Sequence, residues 1–151
     1  MAQNLYITHR QPSAVAAGWI ESYNPDAEDF RNMKQTVRLN VALTVNDGKL
    51  AAFEEIARTM TEGTRKEPGA LAYDWHFSAD RKRCRLIETY ANADALIVHF
   101  KGPVVQQLVP KMVEVSKVDR FEVYGDPGVE GRQMLSQFGA EIFSDWQSLD
   151  R

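Results

Sequence analysis

The chain has 151 residues, of which 44% are hydrophobic and 26% charged, so it can build one compact domain and is neither fibrous nor largely disordered. Its 18 basic and 21 acidic side chains give a net charge of −3, without the basic excess of a nucleic-acid-binding domain. A single cysteine excludes an intrachain disulfide, and the sequence shows neither a membrane-length apolar run nor a secretory signal. We therefore expect a cytoplasmic protein that binds neither nucleic acid nor a membrane.

The first section of the chain, residues 1–36, shows only weak periodicity. It is too short to bury a hydrophobic core of its own. We therefore expect an N-terminal arm or cover rather than a separate domain.

The next section, residues 37–125, alternates strands and helices. Apolar residues at every second position of 37–45 predict a strand, and apolar residues at helical spacing over 50–60 predict a helix that ends before Pro68. Residues 70–77 and 84–90 read as two strands of a hairpin. Asn92 is placed to cap a second helix, which Gly102 interrupts and which continues for a turn or two before Pro110. Residues 118–124 then form a fourth strand.

This order predicts an α+β fold, the ferredoxin-like βαββαβ arrangement. Both helices then lie on one face of the sheet, and an apolar opposite face would need another cover. A second copy of the sheet is the simplest cover, so we expect a homodimer with a cavity in each half. Residues 126–151 form a helical and extended tail, which we expect to pack on the dimer or over a cavity mouth.

Two stretches combine a Pro-Gly pair that opens the second strand, a Glu that ends the third strand and a His late in the following helix. They are residues 67–75 (EPGALAYDW) and residues 88–99 (ETYANADALIVH). This pattern resembles that of the antibiotic-biosynthesis monooxygenase family. The strand at 118–124 also fits. The resemblance covers about residues 37–125 and implies a dimeric α/β barrel.

The resemblance implies several chemistries, because members oxygenate quinol-like or polyketide aromatics without a cofactor, degrade haem, or isomerise a phosphorylated sugar. The haem-degrading pattern needs a Trp where this chain has Tyr90 and a His that residues 106–110 do not offer. Asn40 is the one plausible match to its first-strand Asn. Haem degradation is therefore disfavoured.

The residues themselves predict neither a bound cofactor nor a metal. The glycines at 125, 128 and 131 follow the last strand and lack the spacing of a dinucleotide-binding loop. No pair among the three histidines has metal-ligand spacing. An aromatic cavity with a few ionisable groups remains, suited to removing a phenolic proton so that an electron-rich anion reacts with dioxygen.

The candidate catalytic residues are His99, His76 and Tyr90, and Glu88 is a candidate substrate-binding residue. His99 is either a base tied to Glu88 or a hydrogen bond that secures helix to strand. A carboxylate in an apolar strand needs a partner, which His99, Arg38 or Arg120 could supply, and the alternative is a structural ion pair. Tyr90 either donates to a substrate oxygen or packs.

Further candidate substrate-binding residues are Asn40, Asp74 and Trp75. Asp74 and His76 share one face of the second strand and either form an acid–base pair in the dimer cavity or lie exposed. Asn40 is a donor if its face lines the cavity, and Trp75 either stacks on a ligand ring or belongs to the core.

Three functions follow from these residues. The first is a cofactor-independent monooxygenase for a small aromatic or quinol. The second is an isomerase of a small metabolite, with or without a phosphate group, that uses a histidine with Glu88. The third is a small-molecule-binding dimer without catalytic activity.

Overall fold

The structure, a computed structural model, describes residues 35–147 and residue 149. The predicted N-terminal arm therefore lies almost entirely outside the described residues. The described chain folds as a series of five strands and four helices, in the order β1 (Val37–Val45), α1 (Leu50–Thr64), β2 (Ala70–Phe77), β3 (Arg83–Tyr90), α2 (Ala93–Lys101), α3 (Pro103–Val115), β4 (Ser116–Tyr124), α4 (Gly128–Ser136) and β5 (Glu141–Phe143).

The strands form one sheet in the order β2-β3-β1-β4-β5. The first four strands pair antiparallel, and β5 adds to β4 in parallel. This is the predicted ferredoxin-like α+β fold with one added strand, and the prediction of the fold class is confirmed. Both α4 and β5 lie within the predicted C-terminal tail.

The helices cover one face of the sheet, which we call the helix face. Leu39 and Leu43 of β1 point to it and are buried, and Leu39 stands opposite Glu88 of β3. Helix α1 buries Phe53 and Met60 against the same face. Each such side chain contributes roughly 1.5–3 kcal/mol by leaving water, and this burial holds the layers together.

The sequence predicts that the helical segment after Gly102 ends before Pro110. Helix α3 instead runs through Pro110 to Val115. The extended backbone of Gly102 separates it from α2, and Pro103 occupies its first turn, where a missing N–H costs nothing. Pro110 costs about 3 kcal/mol in a helix interior. Burial of four α3 side chains on the core outweighs that cost, and they are Val104, Val105, Met112 and Val115.

The alternation of β2 places Leu71 on one face with Tyr73, Trp75 and Phe77, and the sequence predicts that this more apolar face packs under the helices. Tyr73, Trp75 and Phe77 do pack against the core, but Leu71 is 58% exposed. An irregularity between Ala70 and Ala72 shifts the register with β3 by one residue there. The strict alternation therefore fails at the start of the strand.

The opposite face of the sheet carries mainly polar side chains in the described residues, whereas the expectation of a second covering sheet assumed an apolar face. Glu122 is nearly buried on this face and accepts hydrogen bonds from Asn40 Nδ2 at 3.2 Å and from Tyr124 Oη at 2.9 Å. Arg120 Nε lies 3.2 Å from its other oxygen. This face therefore offers little apolar surface for a second sheet to cover.

None of the helices in the described part of the chain combines the length and the apolar character needed to cross a membrane.

Candidate functional site

An apolar chamber of about 250 Å³ lies between the helix face of the sheet and the helices. Aliphatic and aromatic side chains make most of its wall, and the sheet contributes Val41 and Leu86 while α3 contributes Val109 and Met112. Its volume is below the roughly 300–1,000 Å³ of pockets for drug-sized ligands, so it fits a molecule of one or two rings. Three polar side chains, Tyr73, Glu88 and His99, line the chamber together, and we call them the polar cluster.

His99 is the centre of the polar cluster and is 2% exposed. Its Nδ1 lies 2.8 Å from Glu67 Oε2, and its Nε2 lies 3.9 Å from Glu88 Oε2. The Tyr73 ring lies 5.7 Å from the imidazole, centroid to centroid. One imidazole thus stands between two carboxyl groups at the chamber wall.

The position of Glu67 depends on the glycine two residues later. A Cβ atom at Gly69 would lie 2.4 Å from the Cβ of Ala95, so only glycine lets the turn before β2 pack this closely on α2. Helix α2 in turn begins at a capped end, where the Asn92 side chain accepts a hydrogen bond from the Ala95 N–H at 2.9 Å. The turn and the helix together bring Glu67 to His99.

Glu88 projects from β3 on the helix face and is almost fully buried. Tyr90 Oη donates a hydrogen bond to Glu88 Oε2 at 2.5 Å. Burial raises the pKa of the Glu88 carboxyl, and the nearby His99 and the Tyr90 hydrogen bond oppose this rise. Glu88 therefore holds its proton to a higher pH than an exposed glutamate does.

Tyr90 is fully buried behind the chamber wall, where its hydroxyl holds the Glu88 carboxyl by a hydrogen bond. Burial and the adjacent Glu88 raise the pKa of its phenol far above the ordinary value of 10.0. The hydroxyl therefore stays protonated as a hydrogen-bond donor. This donor is committed to Glu88 and is therefore not available to a ligand in the chamber.

Tyr73 has an unusual hydroxyl, because it is buried and has no hydrogen-bond partner among the described residues. Burial and the Glu88 charge raise the pKa of its phenol well above the ordinary 10.0. The nearby Thr64 hydroxyl opposes that rise but is itself without a well-oriented partner. An unsatisfied donor in a chamber wall is available to a ligand, and burying it without one costs about 1–3 kcal/mol.

The structure brings together some of the residues predicted from sequence and separates others. Glu88, Tyr90 and His99 meet on the helix face, and Trp75 lines the chamber with its indole N–H donated to Thr61. The other three candidates, Asn40, Asp74 and His76, lie on the opposite face, outside this chamber.

Two residues of the site, Glu67 and Tyr73, were not identified from the sequence as site residues. Glu67 precedes a Pro-Gly pair, and that turn motif was the only signal for it. Tyr73 reads as one aromatic of a buried strand face. In the range 35–147, no three His, Cys, Asp or Glu side chains gather as they would around a metal ion.

Solved structures resemble this fold closely. MupZ from Pseudomonas fluorescens is 24% identical with a TM-score of 0.66, and the match covers 78% of this chain and 95% of that one. A protein of unknown function from Bacteroides thetaiotaomicron, described as a possible oxidoreductase, is 31% identical with a TM-score of 0.55, over 60% of this chain and 96% of that one. A provisionally assigned antibiotic biosynthesis monooxygenase from Nitrosomonas europaea is 23% identical with a TM-score of 0.56. That match covers 62% of this chain and 91% of the other.

No curated protein matches the chain significantly. The model of one protein family, antibiotic biosynthesis monooxygenase, matches residues 36–111. These residues include β1 through most of α3 and therefore the whole polar cluster. With half of its length matched and its fold shared, the chain belongs to the antibiotic biosynthesis monooxygenase family.

Proposed function

We propose that the protein is a monooxygenase that oxidises a small aromatic quinol with dioxygen and needs no bound cofactor. The observation that carries this proposal is the polar cluster, an imidazole, a carboxyl and a phenol in the wall of an otherwise apolar chamber. Membership of the family supports monooxygenase chemistry in general. The chamber supports the narrower choice of a small ring bearing a hydroxyl group.

His99 is the proposed base. An ionised carboxylate only accepts hydrogen bonds, so we assign the ring proton to Nδ1, facing Glu67. The lone pair of Nε2 then points to the side of Glu88 and the chamber. A substrate hydroxyl placed there gives its proton to Nε2, and general-base catalysis of this kind is worth roughly 10²–10⁴-fold in rate.

The other members of the polar cluster hold the resulting anion. The Tyr73 hydroxyl has no other partner in the described chain and can donate to the substrate oxygen. Glu88, whose pKa is raised by burial, supplies a second donor while it is protonated. Donors fixed in a site without water stabilise a developing oxyanion strongly.

The substrate supplies the electrons for the reaction with dioxygen. The quinol anion transfers an electron to dioxygen, the two radicals combine at a ring carbon to form a hydroperoxide, and loss of water leaves a hydroxyquinone. One oxygen atom enters the product and the other leaves as water. All four electrons come from the quinol, so no separate reductant takes part. The apolar wall excludes water from the intermediates.

The charge of the chamber favours a neutral substrate. Among the residues that the structure describes, neither lysine nor arginine lines it, and His99 already faces Glu67 and Glu88. A phosphorylated ligand would bring negative charge to two carboxyl groups without a compensating cation. This observation disfavours the phosphorylated substrate that the isomerase alternative includes.

Proton transfer by His99 also supports a second candidate, an isomerase of a neutral metabolite. Its Nε2 and the Glu88 carboxyl lie 3.9 Å apart, which lets one remove a proton and the other return it. Such a reaction needs no dioxygen. Turnover under strict anaerobiosis therefore distinguishes the two candidates.

The experiment is oxygen uptake with freshly reduced 1,4-naphthoquinol in an oxygen electrode. The monooxygenase proposal predicts one dioxygen consumed per quinol, and ¹⁸O₂ labelling is expected to place one labelled atom in 2-hydroxy-1,4-naphthoquinone. Uptake at the uncatalysed rate across a broad panel of quinols contradicts it. Turnover of a substrate without dioxygen would favour the isomerase.

The proposed assembly is a homodimer. Members of the family are commonly dimeric. A second copy that packs on the opposite face of the sheet would contact polar side chains rather than an apolar surface. We expect light scattering at micromolar concentration to give twice the chain mass of 17.1 kDa. A stable monomer at that concentration contradicts the dimer.

A further inference from the structure

A second cavity, a cleft of about 300 Å³, shares part of its wall with the apolar chamber. Phe100 and Phe138 line both spaces, so this aromatic pair separates the chamber from the cleft. The two rings meet edge to face, with their centroids 5.5 Å apart. Phe138 and the α4 part of the cleft lie beyond residues 36–111, the part of the chain that the family model matches.

Phe138 is held by the turn that follows α4. Its backbone N–H donates to the Leu135 carbonyl at 3.0 Å, and the Ala140 N–H donates to the same carbonyl at 3.2 Å. Leu135 is fully buried and anchors the turn in the core. Phe138 itself is 41% exposed, so it forms an outer wall of the chamber that solvent reaches.

The cleft differs from the chamber in chemistry. Its charged groups neutralise each other, because Lys101 Nζ lies 2.5 Å from Glu130 Oε1. Glutamines provide most of its other polar groups. Gln133 and Gln137 stand four residues apart along α4 and its final turn, and therefore project from the same side. Uncharged amide groups of this kind both donate and accept hydrogen bonds, so they match amides and hydroxyls.

We propose that the cleft is a subsite for an uncharged, hydrogen-bonding substituent of the substrate, an amide or a hydroxyl-bearing group, and that Phe138 sets which substituents can pass from the chamber. This proposal rests on the proposed function, because the substrate ring must occupy the chamber. The substrate class is then a hydroxylated ring with a neutral polar side arm.

Three phenols of graded shape test the proposal by calorimetric binding. 4-Ethylphenol reaches only the chamber, 4-pentylphenol adds an apolar arm, and N-acetyltyramine has an arm of the same length that carries an amide. The main variant is Gln133→Leu with Gln137→Leu, at two exposed positions on the cleft. Gln107→Leu, at an exposed glutamine of α3 outside the cleft, is the matched control.

We expect the double variant to bind N-acetyltyramine about fivefold more weakly, which corresponds to the loss of one neutral hydrogen bond. Its affinity for both alkylphenols is expected to stay within about twofold of the unaltered protein. Phe138→Trp, which narrows the passage, is expected to weaken both long probes but not 4-ethylphenol. Unchanged N-acetyltyramine affinity in the double variant, or an equal loss in Gln107→Leu, overturns the subsite.

The two proposals fail in different ways. If 4-ethylphenol binds and its affinity falls in Tyr73→Phe while the amide arm shows no dependence on the cleft, only the subsite is wrong. If 4-ethylphenol does not bind the unaltered protein, the chamber is not a phenol site, and the proposed function and the subsite are both wrong.

Discussion

His99 Nδ1 lies 2.8 Å from Glu67 Oε2, and this contact joins helix α2 to the turn before β2. The two residues are 32 positions apart in the sequence. The contact orients the imidazole, so that its other nitrogen faces Glu88 and the chamber. The proposed chemistry depends on this orientation.

The first prediction concerns His99 itself. His99→Asn removes the proposed base and is expected to lower the enzyme-catalysed rate of quinol oxidation by at least about 100-fold. His76→Asn is the matched control, because His76 is exposed on the opposite face of the sheet. We expect the control to retain its rate within about twofold, as is usual for surface substitutions. Equal losses in the two variants, with circular dichroism unchanged, would remove His99 from the mechanism.

The second prediction concerns Glu67 as a positioning residue. Glu67→Ala frees the imidazole and is expected to lower kcat with little change in KM, because the substrate does not contact Glu67. Glu67→Gln is expected to restore part of kcat, since the amide oxygen still accepts the Nδ1 proton. Nitrogen NMR of the histidine ring checks the cause, with a single Nδ1–H form in the unaltered protein and a mixture in Glu67→Ala. A single form in both proteins contradicts this role.

The third prediction concerns the pH dependence of stability. The pKa of Glu88 is raised in the fold above the 4.5 of a free glutamate. Below pH 4.5 the Glu88 carboxyl is protonated in both the folded and the unfolded state. Above pH 4.5 it ionises first in the unfolded state, so the free energy of unfolding falls until the pH passes the folded-state pKa. The fall is at most about 1.4 kcal/mol per pH unit. Glu88→Gln carries no such charge, so its stability relative to the unaltered protein is expected to rise with pH.

Urea unfolding at pH 4.5 and pH 7.5 measures this difference. The comparison between variant and unaltered protein cancels the titration of the carboxyl groups that do not interact with Glu88. A constant difference at the two pH values would show that burial does not raise the Glu88 pKa.

The fourth prediction concerns the Tyr73 hydroxyl, which is buried without a partner in the described residues. Tyr73→Phe removes this cost and is expected to raise the free energy of unfolding by about 1 kcal/mol. The same change is expected to weaken 4-ethylphenol about fivefold, since one neutral hydrogen bond is lost. Ethylbenzene, which lacks the hydroxyl, is the matched ligand and should bind both proteins equally. A destabilised variant with unchanged phenol binding would mean that Tyr73 already has a partner.

Local patterns in the sequence predicted most of the fold. The alternation of β1, the hairpin of β2 and β3, and the Asn92 cap each follow from short-range chemistry that the structure retains. Pro110 shows the limit, because a local rule ends the helix there while burial of distant side chains continues it. Propensity is a weak guide where tertiary packing competes with it.

The site was less predictable than the fold. A period of two shows which strand residues share a face, so Glu88 and Tyr90 could be placed together. The same period does not show where a chamber opens, so the sequence leaves open whether Asn40 and His76 line a dimer cavity or lie outside any cavity. The structure places both on the other face, outside the chamber. Glu67 was missed because its contact depends on how closely the turn at Gly69 packs on α2.

The most direct test is a crystal structure of the protein with 4-ethylphenol, a hydroxylated ring that fits the chamber. We expect the ring among Val41, Val109 and Met112, with its oxygen within about 3.2 Å of His99 Nε2 and in contact with Tyr73 Oη. A phenol bound instead on the opposite face, beside Asn40 and His76, would contradict the account.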